Sequence, residues 1–227
     1  MSAPTITAHL LSAGFFDAAR YPEATFEATF VSPEQVVGGF TLNILAISGS
    51  LRRDSYNTRL LRAAAELAPV GIDVELYPTE RLAAVQPYDA DLEDTGTPQS
   101  VIELKQAIAD ADAVLVATPE YNNSIPGQLK NAFDWVSRPI KENPLRGKPT
   151  MVVGASASAY GAVWAQAELR KVLGILGGRI IDAEVAVAHA PERFNESGRL
   201  VDDEIRDELA QALADLVGGA APLAVAV

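Results

Sequence analysis

Short apolar runs alternate with stretches of helical periodicity from Leu42 onward, and this alternation restricts the fold more than any other feature of the chain. The predicted strands are residues 42–48, 73–77, 113–118, 150–154 and 180–187. The first, third and fourth are nearly continuous apolar runs, which is typical of parallel strands covered on both faces. Five strands alternating with five helices predict a doubly wound parallel α/β sheet of flavodoxin-like size with strand order 2-1-3-4-5.

Apolar residues at helical spacing support this fold class. The stripes are Val101, Leu104 and Ile108; Leu169, Val172, Leu173 and Leu176; and Ile205, Leu209, Ala212 and Leu216. In doubly wound sheets, ligands bind beyond the carboxyl ends of the strands. The loops after the first, third and fourth strands are therefore the places where we expect chemistry.

Composition excludes several classes of function. Thirty Asp plus Glu against 18 Lys plus Arg give a net charge of −12, which argues against binding to nucleic acid or to an anionic membrane surface. The absence of cysteine excludes disulfides, thiolate metal sites and thiol nucleophiles, so redox chemistry here requires a bound cofactor. Two histidines, His9 and His189, are too few to indicate a metal site, and we expect none. The first ten residues do not resemble a secretory signal, which predicts a cytoplasmic protein.

The loop after the first strand combines small hydroxyl residues, a glycine and two arginines at the start of a predicted helix. Ser50 and Ser55 can donate hydroxyl hydrogen bonds, and Arg52 can pair with phosphate oxygens, beside the free N–H groups of the helix. This pattern predicts a monophosphate site. The loop contains neither the dinucleotide-binding fingerprint G-x-G-x-x-G nor the P-loop sequence G-x-x-x-x-G-K-[ST]. The alternative is that Ser55 only caps the helix and that the arginines are solvated.

The loops after the third and fourth strands suit a flat polar ligand. Residues 118–135 place Tyr121 among amide and hydroxyl groups in a loop bracketed by prolines, where such groups can bond the edge of a heterocycle. A turn that binds no ligand is the alternative. Residues 154–161 are small, which lets a ligand approach the backbone closely.

Residues 49–57 together with 119–135 resemble the NADPH-dependent FMN reductase family, which includes quinone, azo-dye and chromate reductases. The resemblance extends from about residue 42 to about residue 217. It implies that the FMN phosphate is bound by Ser50, Arg52, Ser55 and Asn57. It further implies that the isoalloxazine is surrounded by Pro119, Glu120, Tyr121, Asn122 and Ser124, with Ser156 a less direct assignment. Members of this family are dimers or tetramers, so the resemblance also implies a homo-oligomer.

The function that this resemblance implies is that of an FMN-dependent NAD(P)H oxidoreductase. Hydride would pass from NADPH or NADH to the flavin N5 and then to a quinone, flavin, azo or metal-oxyanion acceptor, with ping-pong kinetics and no catalytic side chain. The alternative is a flavodoxin-like electron-transfer protein without turnover of its own. The acidity of the chain suits that alternative, whereas the loop containing Arg52 resembles the reductases more than the Thr- and Gly-rich loop of flavodoxins.

Residues 9–30 resemble a fragment of the YceI-like family of polyisoprenoid-binding β-barrels. A closed barrel needs about eight strands, so a fragment of this length predicts no lipid cavity. The predicted organisation is an N-terminal appendage (residues 1–40), a reductase domain (41–218) and a C-terminal tail (219–227). We expect the aromatic residues of the appendage to dock on the main domain or on a partner subunit; they are Phe15, Phe16, Tyr21, Phe26 and Phe30.

Overall fold

A computed structural model describes residues 41–220, apart from the side chain of Asp94. The predictions for residues 1–40, including the docking of their aromatic side chains, lie outside the described residues, as does the tail beyond Ala220. The strands are β1 (Leu42–Ser48), β2 (Ile72–Leu76), β3 (Ala113–Thr118), β4 (Pro149–Ala155), β5 (Arg179–Ile180) and β6 (Ala186–Val187). All strand pairs are parallel and the order is β2-β1-β3-β4-β5, with β6 also beside β4, which confirms the predicted doubly wound sheet.

The described helices are α1 (Tyr56–Leu67), α2 (Thr79–Ala83), α3 (Ala90–Thr95), α4 (Gln99–Asp110), α5 (Gly127–Val136), α6 (Val163–Ile175), α7 (Ala190–Arg193) and α8 (Asp203–Ala220), with a 3₁₀ turn at Ile140–Glu142. The five longer helices correspond to those predicted. The short helices α2, α3 and α7 were not predicted, because four to six residues are too few for a helical period to register. None of the helices described for residues 41–220 is long and apolar enough to cross a membrane.

Two buried layers sandwich the sheet. Alternate residues of β1 face opposite sides: Ile44 belongs to the layer under α1 and α8, whereas Leu45 belongs to the layer under α4, α5 and α6. Leu61 and Leu209 pack in the first layer, and Leu169 packs in the second. Because helices cover both faces, β1, β3 and β4 have apolar side chains on both sides, which explains their continuous apolar runs.

The fifth strand differs from the prediction. Residues 180–187 do not form one continuous strand: β5 pairs with Pro149 and Thr150, whereas β6 pairs with Gly154 and Ala155. Between β5 and β6 the backbone leaves the sheet. The Ala183 N–H donates to Ile181 O (3.0 Å), two residues earlier, and not to β4. The physical reason is a partly buried arginine, Arg170, whose side chain takes the place of the missing ladder bond.

The last helix is longer than the sequence indicates. The predicted C-terminal tail begins at residue 219, but α8 continues through Gly218 and Gly219 to Ala220. A side chain on Gly219 would approach Ile181 Cδ1 to 2.7 Å, so the missing Cβ lets the helix pack against this segment. Arg179 also donates a hydrogen bond to Gly219 O. These contacts are made at a distance along the chain and override the helix-breaking tendency of the glycine pair.

Candidate functional site

The sheet register brings three loops to one edge. At the ends of β1 and β3, Ser48 lies opposite Ala117, and at the ends of β3 and β4, Thr118 lies opposite Gly154. The loops that leave this edge are named here the β1 loop (residues 49–55), the β3 loop (119–126) and the β4 loop (156–162). Because parallel strands end together, the three loops are neighbours, as the ligand-binding rule for doubly wound sheets requires.

The start of the β1 loop is fixed by close packing. A Cβ on Gly49 would approach Leu129 Cδ2 to 2.7 Å and Pro119 Cδ to 3.3 Å, so only glycine lets this loop lie directly against the β3 loop. The buried Thr58 hydroxyl bonds the Ser48 hydroxyl (2.9 Å) and ties α1 back to the end of β1. The loop is therefore held at both its ends.

Several hydrogen-bond donors of the β1 loop have no described acceptor. Ser50 is only 3 % exposed, and its hydroxyl bonds none of the residues 41–220. The backbone N–H groups of Leu51, Arg52 and Arg53 likewise bond no acceptor in that range. No acidic residue occupies the first turn of α1, so its positive dipole end is not neutralised there. Donors without acceptors beside a helix N-terminus form a site for an anion.

Two arginines contact the ring of Tyr56, the first residue of α1. The Arg52 and Arg59 guanidinium carbons each lie 5.4 Å from the centre of the Tyr56 ring, within range of a cation–π interaction. Tyr56 in turn packs against Phe194, with ring centres 5.7 Å apart. Among the described residues no carboxylate forms a salt bridge with Arg52, Arg53 or Arg59. The sequence thus places three arginines and one carboxylate, Asp54, at residues 52–59 of a chain of net charge −12.

Two residues expected to contact phosphate are used by the protein itself. The Ser55 hydroxyl accepts hydrogen bonds from the N–H groups of Asn57 (3.2 Å) and Thr58 (3.4 Å), so it caps α1. The Asn57 side chain donates to Ala155 O and accepts from Ala155 N–H, both at 2.9 Å. Asn57 thereby joins α1 to the end of β4 and sets the spacing between the β1 and β4 loops.

The β3 loop contains a tight hairpin. Tyr121 and Ser124 exchange backbone hydrogen bonds of 3.0 and 3.1 Å around Asn122 and Asn123. Both asparagines have positive φ, 55° and 60°, which is the geometry of a two-residue type I′ turn and a conformation that asparagine tolerates well. The hairpin leaves Tyr121 with 52 % of its surface exposed.

Acidic side chains connect this hairpin to α6. One Glu120 carboxylate oxygen accepts from the N–H groups of both Trp164 and Ala165 (3.1 Å each), which caps the start of α6. The Ser124 hydroxyl donates to the Glu168 carboxylate at 2.6 Å. The polar groups of Glu120 and Ser124 thus hold the loop to the helix.

The β4 loop folds on itself and on β6. The Ser156 hydroxyl accepts from Ser158 N–H (3.1 Å) and lies 3.0 Å from the Ser158 hydroxyl. Ser156 N–H donates to Val187 O at 3.0 Å. Gly161 has φ of 56°, and a Cβ there would lie 2.4 Å from the carbonyl carbon of Ala186. The loop therefore packs tightly against the backbone of β6.

All the predicted site residues lie on these three loops or in the first turn of α1. Their side chains divide into those whose polar atoms form no hydrogen bond with the described chain and those that form hydrogen bonds within the site. The first group comprises Ser50, Arg52, Tyr121 and Asn122; the second comprises Ser55, Asn57, Glu120, Ser124 and Ser156, and Pro119 has no polar side-chain atom. Sequence reasoning missed Gln166, Glu168 and Arg170, whose partners lie on other elements and leave no local signal.

A known protein family matches most of the described domain. The model of the family described as NADPH-dependent FMN reductase matches residues 42–192. The chain is 42 % identical over 173 residues to an NAD(P)H-dependent FMN reductase of Pseudomonas aeruginosa, covering 76 % of this chain and 91 % of that protein. It is 39 % identical over 170 residues to a 2-hydroxy-1,4-benzoquinone reductase of Burkholderia sp, covering 74 % and 90 %.

A solved structure shows the same relationship. The flavoenzyme NAD(P)H:(acceptor) oxidoreductase of Paracoccus denitrificans superposes with a TM-score of 0.70 at 33 % identity, over 79 % of this chain and 97 % of that one. The YceI-like domain model matches residues 2–51, overlapping the start of the first match. Residues 42–48 of that overlap form β1, a central strand of the doubly wound sheet. The chain is an oxidoreductase that belongs to the NADPH-dependent FMN reductase family.

Proposed function

We propose that this protein binds FMN and uses NADPH or NADH to reduce a small-molecule acceptor of the quinone, flavin, azo or metal-oxyanion class. The observation that carries the proposal is the array of unpaired donors at the start of α1, where the Ser50 hydroxyl and the N–H groups of Leu51, Arg52 and Arg53 have no described acceptor. A phosphate monoester at the end of a ribityl chain is an anion of the size and charge that such an array binds.

The residues present fit FMN. In this proposal Ser50 and Arg52 bind the phosphate, while Ser55 and Asn57 shape the loop that surrounds it. The ring system is bounded on one side by the β3 loop with Pro119, Glu120, Tyr121, Asn122 and Ser124, and on the other by the β4 loop with Ser156. Asn57 joins the start of α1 to the end of β4 through Ala155, so two hydrogen bonds of 2.9 Å set the spacing between the β1 and β4 loops.

Bound FMN supplies the redox chemistry, because it accepts a hydride from a nicotinamide and delivers the electrons to an acceptor. The protein itself binds the cofactor, orients it and shields it from solvent. Backbone N–H groups of the β3 and β4 loops supply hydrogen bonds to a polar heterocycle edge. We assign no acid or base side chain.

We further propose that the nicotinamide and the acceptor occupy the same open side of the site in turn. The hairpin tip with Tyr121 is exposed, so this side is accessible. Binding of the two substrates in turn at one site predicts ping-pong kinetics. In initial-rate measurements, parallel double-reciprocal lines support this alternating occupancy, and intersecting lines contradict it.

Assembly and location belong to the same proposal. We propose a homodimer or homotetramer in the cytoplasm, by similarity to the family. Light scattering on the full chain measures the mass directly, and a mass of one 24.1 kDa chain at micromolar concentration would contradict the oligomer.

A flavodoxin-like electron carrier is the second candidate, because the strongly acidic surface suits docking to a basic protein partner. The two candidates differ in turnover. The proposed enzyme oxidises NADPH continuously with a quinone and no other protein, whereas a carrier needs a separate reductase.

The visible spectrum of the purified protein before and after anaerobic addition of NADPH tests the proposal. Flavin absorption near ~450 nm that bleaches with NADPH and returns with p-benzoquinone is expected. A colourless protein that neither binds added FMN nor oxidises NADPH would refute the proposal.

A further inference from the structure

We propose that Gln166 and Arg170, two polar residues on α6 with inward-facing side chains, are positioning residues that hold the β4 loop in the conformation that flavin binding needs. The inference rests on the proposed function for its flavin part. Arg170 lies at a gap in the sheet between β5 and β6.

The gap lies along the outer side of β4. β5 and β6 pair with the two ends of β4, but Val152 at its centre has no strand partner on that side. The Arg170 guanidinium fills this place: one terminal nitrogen donates to Val152 O (3.3 Å) and to Ala183 O (3.0 Å). A side chain from α6 thus replaces the backbone hydrogen bond that a regular parallel ladder would form.

Gln166 connects the gap to the β4 loop. Its side chain is fully buried, and Nε2 donates to Gly161 O (2.9 Å) and to Val185 O (3.3 Å). Its Oε1 accepts from the same Arg170 nitrogen at 3.2 Å. One continuous set of hydrogen bonds therefore runs from the centre of β4 through Arg170 and Gln166 to the last residues of the β4 loop.

The backbone is shaped around this network. A Cβ on Gly154 would approach Gln166 Nε2 to 2.7 Å, so glycine at the end of β4 makes room for the amide. Gly161, whose carbonyl Gln166 binds, is in the left-handed region and presses on Ala186. Loss of the Gln166 donor would leave the Gly161 carbonyl unpaired beside Ala162, a non-glycine residue with φ of 63°, which favours a different loop conformation.

The same helix also holds the opposite wall of the site. Glu120 caps the start of α6, and Glu168 on the exposed side of the helix accepts from Ser124. The β3 and β4 loops are thus tied to opposite sides of α6. A change at Gln166 should therefore alter the β4 loop while leaving the β3 hairpin in place.

Hydrogen exchange of the apoprotein tests the positioning role without any cofactor. Gln166→Met keeps the length of the side chain and removes its donors and acceptor. We expect exchange of the backbone amides in residues 154–163 to accelerate about tenfold, the effect of one lost hydrogen bond, with little change at 119–126. Asn143→Leu is the matched control, because Asn143 also bonds two backbone groups, Leu176 O (2.7 Å) and Leu145 N–H (3.0 Å), but precedes β4 at the other end of the strand.

FMN titration followed by flavin fluorescence is the second measurement. We expect the Kd for FMN to rise about tenfold in Gln166→Met and less than about twofold in Asn143→Leu at comparable melting temperature. Arg170→Lys keeps the charge on a shorter side chain, which weakens the hydrogen bonds to Val152 O and Ala183 O, so exchange at residues 181–185 should also accelerate. This variant replaces Gln166→Met if Gln166→Met does not fold.

The outcomes separate the two proposals. Unchanged exchange at 154–163 in a folded Gln166→Met protein, or equal effects of Gln166→Met and Asn143→Leu, would overturn the positioning role. If the wild-type chain binds no FMN, the proposed function fails even where the exchange result shows that the network holds the loop.

Discussion

Asn57 and Ala155 are joined by two opposed hydrogen bonds of 2.9 Å, in which the side-chain amide both donates to and accepts from the same backbone residue. The pair spans 98 positions of sequence and connects the first turn of α1 with the last residue of β4. An amide is the side chain that can donate and accept at this spacing, so the connection depends on asparagine itself.

Replacing this asparagine should cost both stability and flavin affinity. Asn57→Ala leaves the N–H and C=O of Ala155 unpaired in a buried site, which lowers the free energy of unfolding by about 1–3 kcal/mol. Chemical denaturation gives the stability, and fluorescence titration gives the Kd for FMN. Asn57→Asp keeps the acceptor but turns a carboxylate oxygen toward Ala155 O in a buried site, and should be no more stable than Asn57→Ala. Wild-type stability in Asn57→Ala would contradict the role assigned to the pair.

The phosphate assignment of Arg52 predicts a selective loss. Arg52→Ala should weaken FMN binding about tenfold but leave riboflavin binding unchanged, because riboflavin lacks the phosphate. Binding of FMN to the wild type should also weaken with added salt, and the variant should show a smaller salt dependence.

Arg62→Ala is a suitable control for that experiment, since this exposed arginine lies on α1 beyond the first turn. Equal losses for FMN and riboflavin in Arg52→Ala would show that Arg52 supports the loop and does not contact the phosphate.

The start of α8 should respond to acid. Asp202 accepts from the N–H of Ile205 (3.1 Å) and pairs with Arg193 (2.6 Å), and these hydrogen bonds hold the pKa of Asp202 below its ordinary value of 3.8. A carboxylate with a lowered pKa in the folded state stabilises it above pH 3.8, and this contribution is lost as the pH falls through the folded-state pKa. The variant Asp202→Asn should therefore be less stable than wild type near neutral pH.

Thermal melts across pH measure this contribution. The difference in melting temperature between wild type and Asp202→Asn should stay constant above about pH 5 and narrow in more acidic buffer. A difference that persists unchanged at pH 2 would mean that the charge of Asp202 contributes nothing.

Removal of a buried hydroxyl that has no hydrogen-bond partner should not lower stability, in contrast to the substitutions above. Tyr77 is 5 % exposed and borders a cavity of about 570 Å³ between β2 and α4, and its hydroxyl bonds none of the described residues. Burial raises its pKa. Tyr77→Phe removes an unsatisfied polar atom, so we expect a stability between unchanged and about 1 kcal/mol higher.

The matched comparison is Tyr88→Phe, because the Tyr88 hydroxyl does have a partner, the Glu93 carboxylate at 2.9 Å. That variant should lose stability under the same denaturation conditions. A marked loss in Tyr77→Phe would show that a water or ligand bonds the Tyr77 hydroxyl in solution.

The framework of the fold was predictable because it depends on local patterns. Continuous apolar runs placed β1 and β3 at the bounds that the structure shows, and the helical stripes placed Leu104, Leu169 and Leu209 in the core. The three site loops followed from strand order alone, since parallel strands end at one edge.

What the sequence did not indicate depends on contacts between distant residues. The apolar stripe of α6 identifies Leu169 and Leu173, but nothing near Gln166 indicates that it is buried, because Gly161 and Val185 supply its partners only after folding. For the same reason the sequence does not indicate that the Glu120 carboxylate caps α6 from 44 positions away. Non-local hydrogen bonds assign the supporting roles within the site.

The interrupted fifth strand also affects how this protein behaves at high concentration. An open sheet has two edges, and a long edge strand with a free row of N–H and C=O groups can template the addition of strands from other molecules. One edge here consists of two-residue pieces, and on the other edge β2 carries the exposed carboxylates of Asp73 and Glu75. The described domain thus has two edges that resist intermolecular strand pairing, and the arginine that spans the gap allows one of them to remain short.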